Sequence, residues 1–361
     1  MKKIYYGKAV YNNKEINAVL KVLRQQELQL IDGKNVKKLE KNVCKLFGKK
    51  YGLMVNSGSS ANLLALASLN LKKGSEIITP NLTFSTTVAP IYQLGLTPHF
   101  VGVEENKFIT DPSQIEKCIN KKTVAIMIPN LLGNIANWKK IHAIAKKYKL
   151  KVIEDSAQSF GSRRYNMPSG SFGDISCFSF NPMKVLPSLG EAGAIVTNKK
   201  KIYEKIKTLR YAGTIFKENC VYPSLNFKID TIQATFIIEY LKNLKKLIKR
   251  RISIAEIYNK GLDKSIIKPE VENGYVDTFY TYTIQVNNRN QLLKYLNSKG
   301  IEARVKHPIL VSDQIAYKKY KKANLSNANK IIKKIISLPI NDKMTNEEVR
   351  YVIQMVNRFY K

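Results

Sequence analysis

Between residues 51 and 197 one alternation repeats: a short apolar run, then a segment with helical spacing. The runs are YGLMV (51–55), EIITP (76–80), TPHFVGV (97–103), TVAIMIP (123–129), KVIED (151–155), ISCFSF (175–180) and AGAIVT (192–197). Helical spacing separates several of them, as in STTVAPIYQLG (85–95) and WKKIHAIAKKYKL (138–150). Strands this short and this apolar are buried on both faces, and the intervening helices supply the cover. The expected class is therefore α/β, a mostly parallel sheet flanked by helices. Residues 14 to 48 are expected to form two helical stretches split by the turn-like IDGKN (31–35). Beyond residue 200 the pattern is helical, with one long helix expected from Thr231 to about Lys260. A small C-terminal α+β domain is expected from FYTYTIQV (279–286), a helix at 289–299, IEARVKHPI (301–309) and a helix after Thr345. The 361 residues fit two unequal domains, drawn here as 1–245 and 246–361.

A net charge of +34 raises the question of nucleic acid. Lysine outnumbers arginine 51 to 10 and is spread along the whole chain, whereas arginine is the residue that reads phosphate and base edges. No nucleic-acid partner is expected. The densest basic piece, LKNLKKLIKRR (241–251), reads as a solvated helix face. No apolar run approaches the ~18 residues of a membrane span, and MKKIYYGKAV lacks the apolar core of a signal peptide. Cys44, Cys118, Cys177 and Cys220 are widely separated, so they read as reduced thiols of a cytoplasmic protein. His99, His142 and His307 are too scattered to suggest a metal centre.

In sheets of this kind, ligands bind beyond the carboxyl ends of the strands. After YGLMV comes NSGSSAN, whose glycine and hydroxyls at a helix start suit an anion such as phosphate, or a plain helix cap. There is no Walker loop and no GxGxxG. After EIITP comes Phe84, placed to cover a flat ring or to pack in the core. KVIED ends on Asp155, a carboxylate that needs a positive partner if buried, unless it caps a helix. After ISCFSF comes Lys184, the only lysine between Lys151 and Lys199. Burial favours the neutral amine, a nucleophile able to form a Schiff base with an aldehyde. Phosphate cradle, ring cover, acid and amine, each beyond a different strand, together describe a site for pyridoxal phosphate.

The chain resembles the DegT/DnrJ/EryC1/StrS family of pyridoxal-phosphate-dependent sugar aminotransferases, which have the fold-type-I architecture. The segments that carry the resemblance are NSGSSANLLAL, EIITPNLTFSTTVAPIYQLGLTPHFV, VIEDSAQSFGS, FGDISCFSFNPMKVLPSLGEAGAIVTN, SLNFKIDTIQA and GIEARVKHPI, in the family's order and over nearly the whole length. The resemblance implies that Lys184 is the Schiff-base lysine. It implies that Asp155 faces the ring nitrogen, that Phe84 stacks on the ring and that Gln158 lies near its 3-hydroxyl. Ser59, Ser60 and Ser179 would bind the phosphate. Asn226 would reach the phosphate of a neighbouring subunit, which requires a homodimer with composite sites. Glu191, Tyr211 and His307 are the candidates for substrate contact.

Where the family's sugar 3-dehydrases carry histidine, this chain has Lys184, which favours transamination. The family's GEGG is GEAG, with Ala192; its R-x-H-G segment has Ala212; and Lys228 replaces an arginine. The implied reaction is ping-pong amino transfer from glutamate to a nucleotide-linked keto-deoxysugar. Gln158 and Asp230 resemble the branch that aminates the 3-position more than the 4-position branch. The rival readings are a dehydratase of the same family and a basic regulatory or nucleic-acid-binding protein on the same fold.

Overall fold

The computed structural model describes residues 3–7, 11–25, 33–216 and 218–361. The first two residues of the expected turn IDGKN lie outside that set. Its last two, Lys34 and Asn35, already belong to helix α2 (Lys34–Phe47), which Gly33 precedes; helix α1 (Asn13–Arg24) begins with a capping box between Asn12 and Glu15.

Seven strands form one sheet: β1 (Tyr51–Val55), β2 (Glu76–Pro80), β3 (Thr97–Val101), β4 (Thr123–Pro129), β5 (Lys151–Asp155), β6 (Ile175–Ser179) and β7 (Gly193–Thr197). Their order is β1-β7-β6-β5-β4-β2-β3. β7 alone runs antiparallel to its neighbours, so its first residue lies where the others end. In register, Gly193 faces Val55 on one side and Ser179 on the other, while Asp155 faces Pro129 and Cys177. The carboxyl ends of β1, β4, β5 and β6 therefore form one edge.

Helices α3 (Gly58–Ser68), α4 (Ser85–Gln93), α6 (Trp138–Lys147, after the short α5, Pro112–Cys118) and α7 (Lys200–Arg210) cover the sheet. Every residue of β2 and β6 is buried, as apolar strands with no solvent face require.

The expected helix from Thr231 to Lys260 is two helices, α8 (Thr231–Leu241) and α9 (Leu244–Gly261). The break falls at Lys242 and Asn243, whose N–H groups bond three residues back to Glu239 and Tyr240. It separates a helix buried on most sides from one that is apolar on a single face. The basic face expected at 241–251 also departs at its end. Arg251 is buried, and its guanidinium donates to the carbonyls of Thr278, Phe279 and Tyr280 at 2.8–3.2 Å.

In the C-terminal part, β8 (Tyr282–Gln285) pairs antiparallel with β9 (Ile335–Leu338). These strands pack with α9, α10 (Arg289–Ser298) and α11 (Asn346–Phe359) around one apolar cluster. That cluster also takes in Ile4, which bridges to Ile301. FYTYTIQV is strand only from Tyr282, since Phe279 has a left-handed φ of 47° under the Arg251 clamp. IEARVKHPI forms only isolated bridges, at Ile301 and Arg304. Among the described residues no helix is long and apolar enough to cross a membrane.

Candidate active site

A cavity of about 720 Å³ opens at the strand edge, lined among others by Ser57, Gly58, Ser59, Phe84, Asp155, Gln158, Ser179, Lys184, Glu191, Tyr280, Lys306 and His307. Register brings the first of these together. A Cβ on Gly58 would lie 2.6 Å from that of Ser179, and one on Gly193 would lie 2.3 Å from the carbonyl oxygen of Ser57. Only glycine at both positions lets the start of α3 press onto the ends of β6 and β7. Ser57 caps α3 by accepting from the Ser60 N–H (3.1 Å). The N–H groups of Gly58 and Ser59 have no acceptor within the helix, an arrangement whose dipole suits an anion.

Asp155 is 5% exposed. Its Oδ2 accepts from Asn62 (3.0 Å) and Thr87 (2.8 Å), and its Oδ1 from the Ala157 N–H (3.1 Å). These neutral donors fix the carboxylate without cancelling its charge, leaving it able to meet a cationic ring nitrogen. Phe84 stands at the start of α4 with 56% of its surface exposed, too open for a core residue. Gln158 Oε1 accepts from the Leu132 N–H at 3.0 Å.

Lys184 follows a turn closed by its own N–H on the Asn181 carbonyl (2.8 Å). Its Nζ lies 4.6 Å from the centre of the Tyr280 ring. Burial pushes the amine down to about 8, with Asp155 and Glu191 opposing the shift. The apoprotein should therefore take up pyridoxal phosphate faster as pH rises through about 8, levelling above it, since only the neutral amine attacks an aldehyde. Stopped-flow absorbance checks this, and a rate still climbing towards the ordinary lysine value would contradict it. His307 is held down to about 4 by burial, then by Lys306 and Lys184. Its Nε2 is buried without a partner among the described residues, and its backbone is left-handed at φ 52°.

Ser60, Tyr211 and Asn226 do not line this cavity. Ser60 spends its hydroxyl on Asn56 (2.7 Å) and Ser57 (2.8 Å). Tyr211 and Asn226 bridge to each other on an outer face, where Asn56 reaches the Asn226 carbonyl at 3.4 Å. Lys228 lies over the Tyr211 ring there, at 4.3 Å. Asp230 caps α8 through the Gln233 N–H (2.8 Å) and is absent from the cavity lining. Ala192 is buried, and its carbonyl accepts from the Phe180 N–H (2.8 Å). Glu191 accepts from the Asn181 amide.

Sequence reasoning missed Asn62, Thr87, Tyr280 and Lys306. Asn62 left one signal, a polar residue amid the apolar run of α3. The other three reach the cavity through tertiary contacts that no local pattern encodes.

The amine, the buried acid, the ring cover and the serine-lined helix start are the groups that pyridoxal phosphate requires, and the cavity holds them all. Fold and site define a fold-type-I, pyridoxal-phosphate-dependent aminotransferase. The family model of the DegT/DnrJ/EryC1/StrS aminotransferase family matches residues 10–357, and the chain belongs to that family. It is 31% identical over 354 residues to the pleiotropic regulatory protein of Geobacillus stearothermophilus, covering 96% of this chain and 95% of that one. It is 31% identical over 347 residues to the dTDP-3-amino-3,6-dideoxy-alpha-D-galactopyranose transaminase of Aneurinibacillus thermoaerophilus, again covering 96% and 95%. A third relative, the UDP-N-acetyl-3-dehydro-alpha-D-glucosamine 3-aminotransferase of Acidithiobacillus ferrooxidans, is 31% identical over 335 residues, covering 92% and 90%. Among solved structures, S. venezuelae DesV in complex with a ketimine intermediate superposes with a TM-score of 0.95. It shares 26% identity, over 100% of this chain and 99% of that one.

Proposed function

We propose that the protein transfers the amino group of glutamate to the 3-keto position of a nucleotide-linked deoxysugar, as a homodimer with shared sites. The observation that carries this reading is one cavity lined by Lys184, Asp155 and the start of α3. Bound pyridoxal phosphate supplies an electron sink that makes the α-hydrogen of an attached amine acidic. Asp155 would hold a proton on the ring nitrogen and so keep that sink deep. Ser59 and Ser179, with the N–H groups of Gly58 and Ser59, would hold the phosphate, and Phe84 would cover the ring. The neutral Nζ of Lys184 would take the proton from the donor's α-carbon and deliver it to the C4′ carbon of the coenzyme, and water would then release the keto acid and leave the amino group behind. The second half-reaction runs the same transfers in reverse with the keto sugar.

Gln158 in the cavity and the 3-position carried in the names of two relatives support the 3-position. Asp230 adds nothing to that preference, because it serves as a helix cap. The outer face bearing Tyr211 and Asn226 supports the dimer. Phe216 and Leu225 stand 91% and 69% exposed on the same stretch of chain, apolar surface that a second copy would cover.

A regulatory role is favoured only by the name of one relative; the complete set of catalytic groups favours transamination. Adding glutamate to the coenzyme-loaded protein should abolish the long-wavelength absorbance, and a 3-keto nucleotide sugar should restore it faster than its 4-keto isomer. Absorbance that glutamate leaves unchanged would remove glutamate as donor. Equal or reversed sugar rates would remove the 3-keto assignment.

A further inference from the structure

On the reading above, donor and sugar occupy one cavity in turn, and both carry oxyanions that need a positive partner. Lys184 is taken by carbonyl chemistry, Asp155 by the ring nitrogen, and Glu191 is an acceptor held by Asn181. Lys306 remains. It lines the cavity half-buried, two residues beyond Arg304. Arg304 is paired with Glu302, whereas Lys306 has no carboxylate partner among the described residues.

The ammonium is nonetheless held in place. Its Nζ lies 5.2 Å from the Tyr6 ring centre and 5.6 Å from that of Tyr280, the ring that also receives Lys184. Two aromatic faces steady a cation without neutralising it. Both rings are fixed in turn. Arg251 clamps the backbone at Tyr280 through its carbonyl (3.0 Å), and the Tyr6 N–H donates to Glu302 (3.2 Å). The adjacent His307 also lines the cavity, with an Nε2 unpartnered among the described residues.

We propose that Lys306 is the oxyanion-binding residue of the substrate site, pairing with a carboxylate of the amino donor or a phosphate oxygen of the nucleotide sugar. A lysine ammonium is a compact point charge with rotatable donors, so it meets either group without the planar match that arginine demands.

The test uses full-length, coenzyme-loaded Lys306→Gln and Lys306→Arg proteins, with each half-reaction followed by absorbance. If the anion belongs to the donor, the glutamate concentration giving half-maximal rate rises ~10-fold or more in Lys306→Gln and recovers in Lys306→Arg. If it belongs to the nucleotide, the same shift appears with the keto sugar instead. Calorimetry with glutarate, and with UDP, dTDP and GDP, reads the same preference without turnover. The proposal is overturned if every constant stays within ~2-fold of wild type, or if wild type binds none of these anions. Wild-type protein that binds them but transfers no amino group would sink the functional reading and leave the calorimetric test of Lys306 standing.

Discussion

Lys184→Ala is expected to lower the rate of amino transfer by ~10⁴-fold or more while the protein stays folded. The substitution removes the buried amine of the cavity, and with it the base proposed to move the α-proton. Stability should hold, because burial opposes the charge on this lysine. Its value in the fold, about 8, lies below the ordinary 10.5, so the folded state binds its proton less readily than the unfolded chain. That cost is fully present below about pH 8 and disappears as the pH rises through the ordinary value. The variant should therefore unfold at the same denaturant concentration as wild type or a higher one at neutral pH. Steady-state rates with glutamate and a keto sugar, together with urea unfolding, check both halves. A rate within tenfold of wild type would remove Lys184 from the chemistry.

The second large effect concerns stability and lies one residue away from the site. Glu154 is fully buried and accepts from six donors: Asn130 (2.7 Å), Ser156 (2.9 Å), Ser176 (2.8 Å) and the N–H groups of Gly170 (2.6 Å), Phe172 (2.9 Å) and Gly173 (3.0 Å). It ties β5 to β6 and to the loop between them. Glu154→Gln replaces an acceptor oxygen with an NH₂ facing donors, so several buried N–H and O–H groups lose their partner at once. The expected loss is ~2–4 kcal/mol, read from the urea midpoint. A change under ~0.5 kcal/mol would mean that the network re-forms around the amide.

Glu154 and Asp155 also mark how far the sequence could be read. Alternation along β5 sends the two carboxylates to opposite faces, Asp155 to Asn62 and Thr87, Glu154 to the loop before β6. The position of Asp155 was legible because a strand-ending acid in an α/β sheet lies at the ligand edge. Glu154 was not, because its six partners are spread over residues 130–176 and share no spacing. The seven strands were legible from apolar runs alone. The break at Lys242 and Asn243 was not, since neither glycine nor proline marks it. Lys184 stood out by the absence of other lysines around it. Lys306 sits in ordinary lysine-rich sequence, and Tyr6, 300 residues earlier, is half of what holds it.

One lysine among 51, Lys184, is expected to carry the coenzyme. Borohydride treatment of the loaded protein fixes the coenzyme to the amine it is joined to, and peptide mass spectrometry then locates it. The account predicts a single pyridoxyl adduct on the peptide containing Lys184. An adduct on any other lysine with Lys184 unmodified, or no stoichiometric adduct at all, would contradict it.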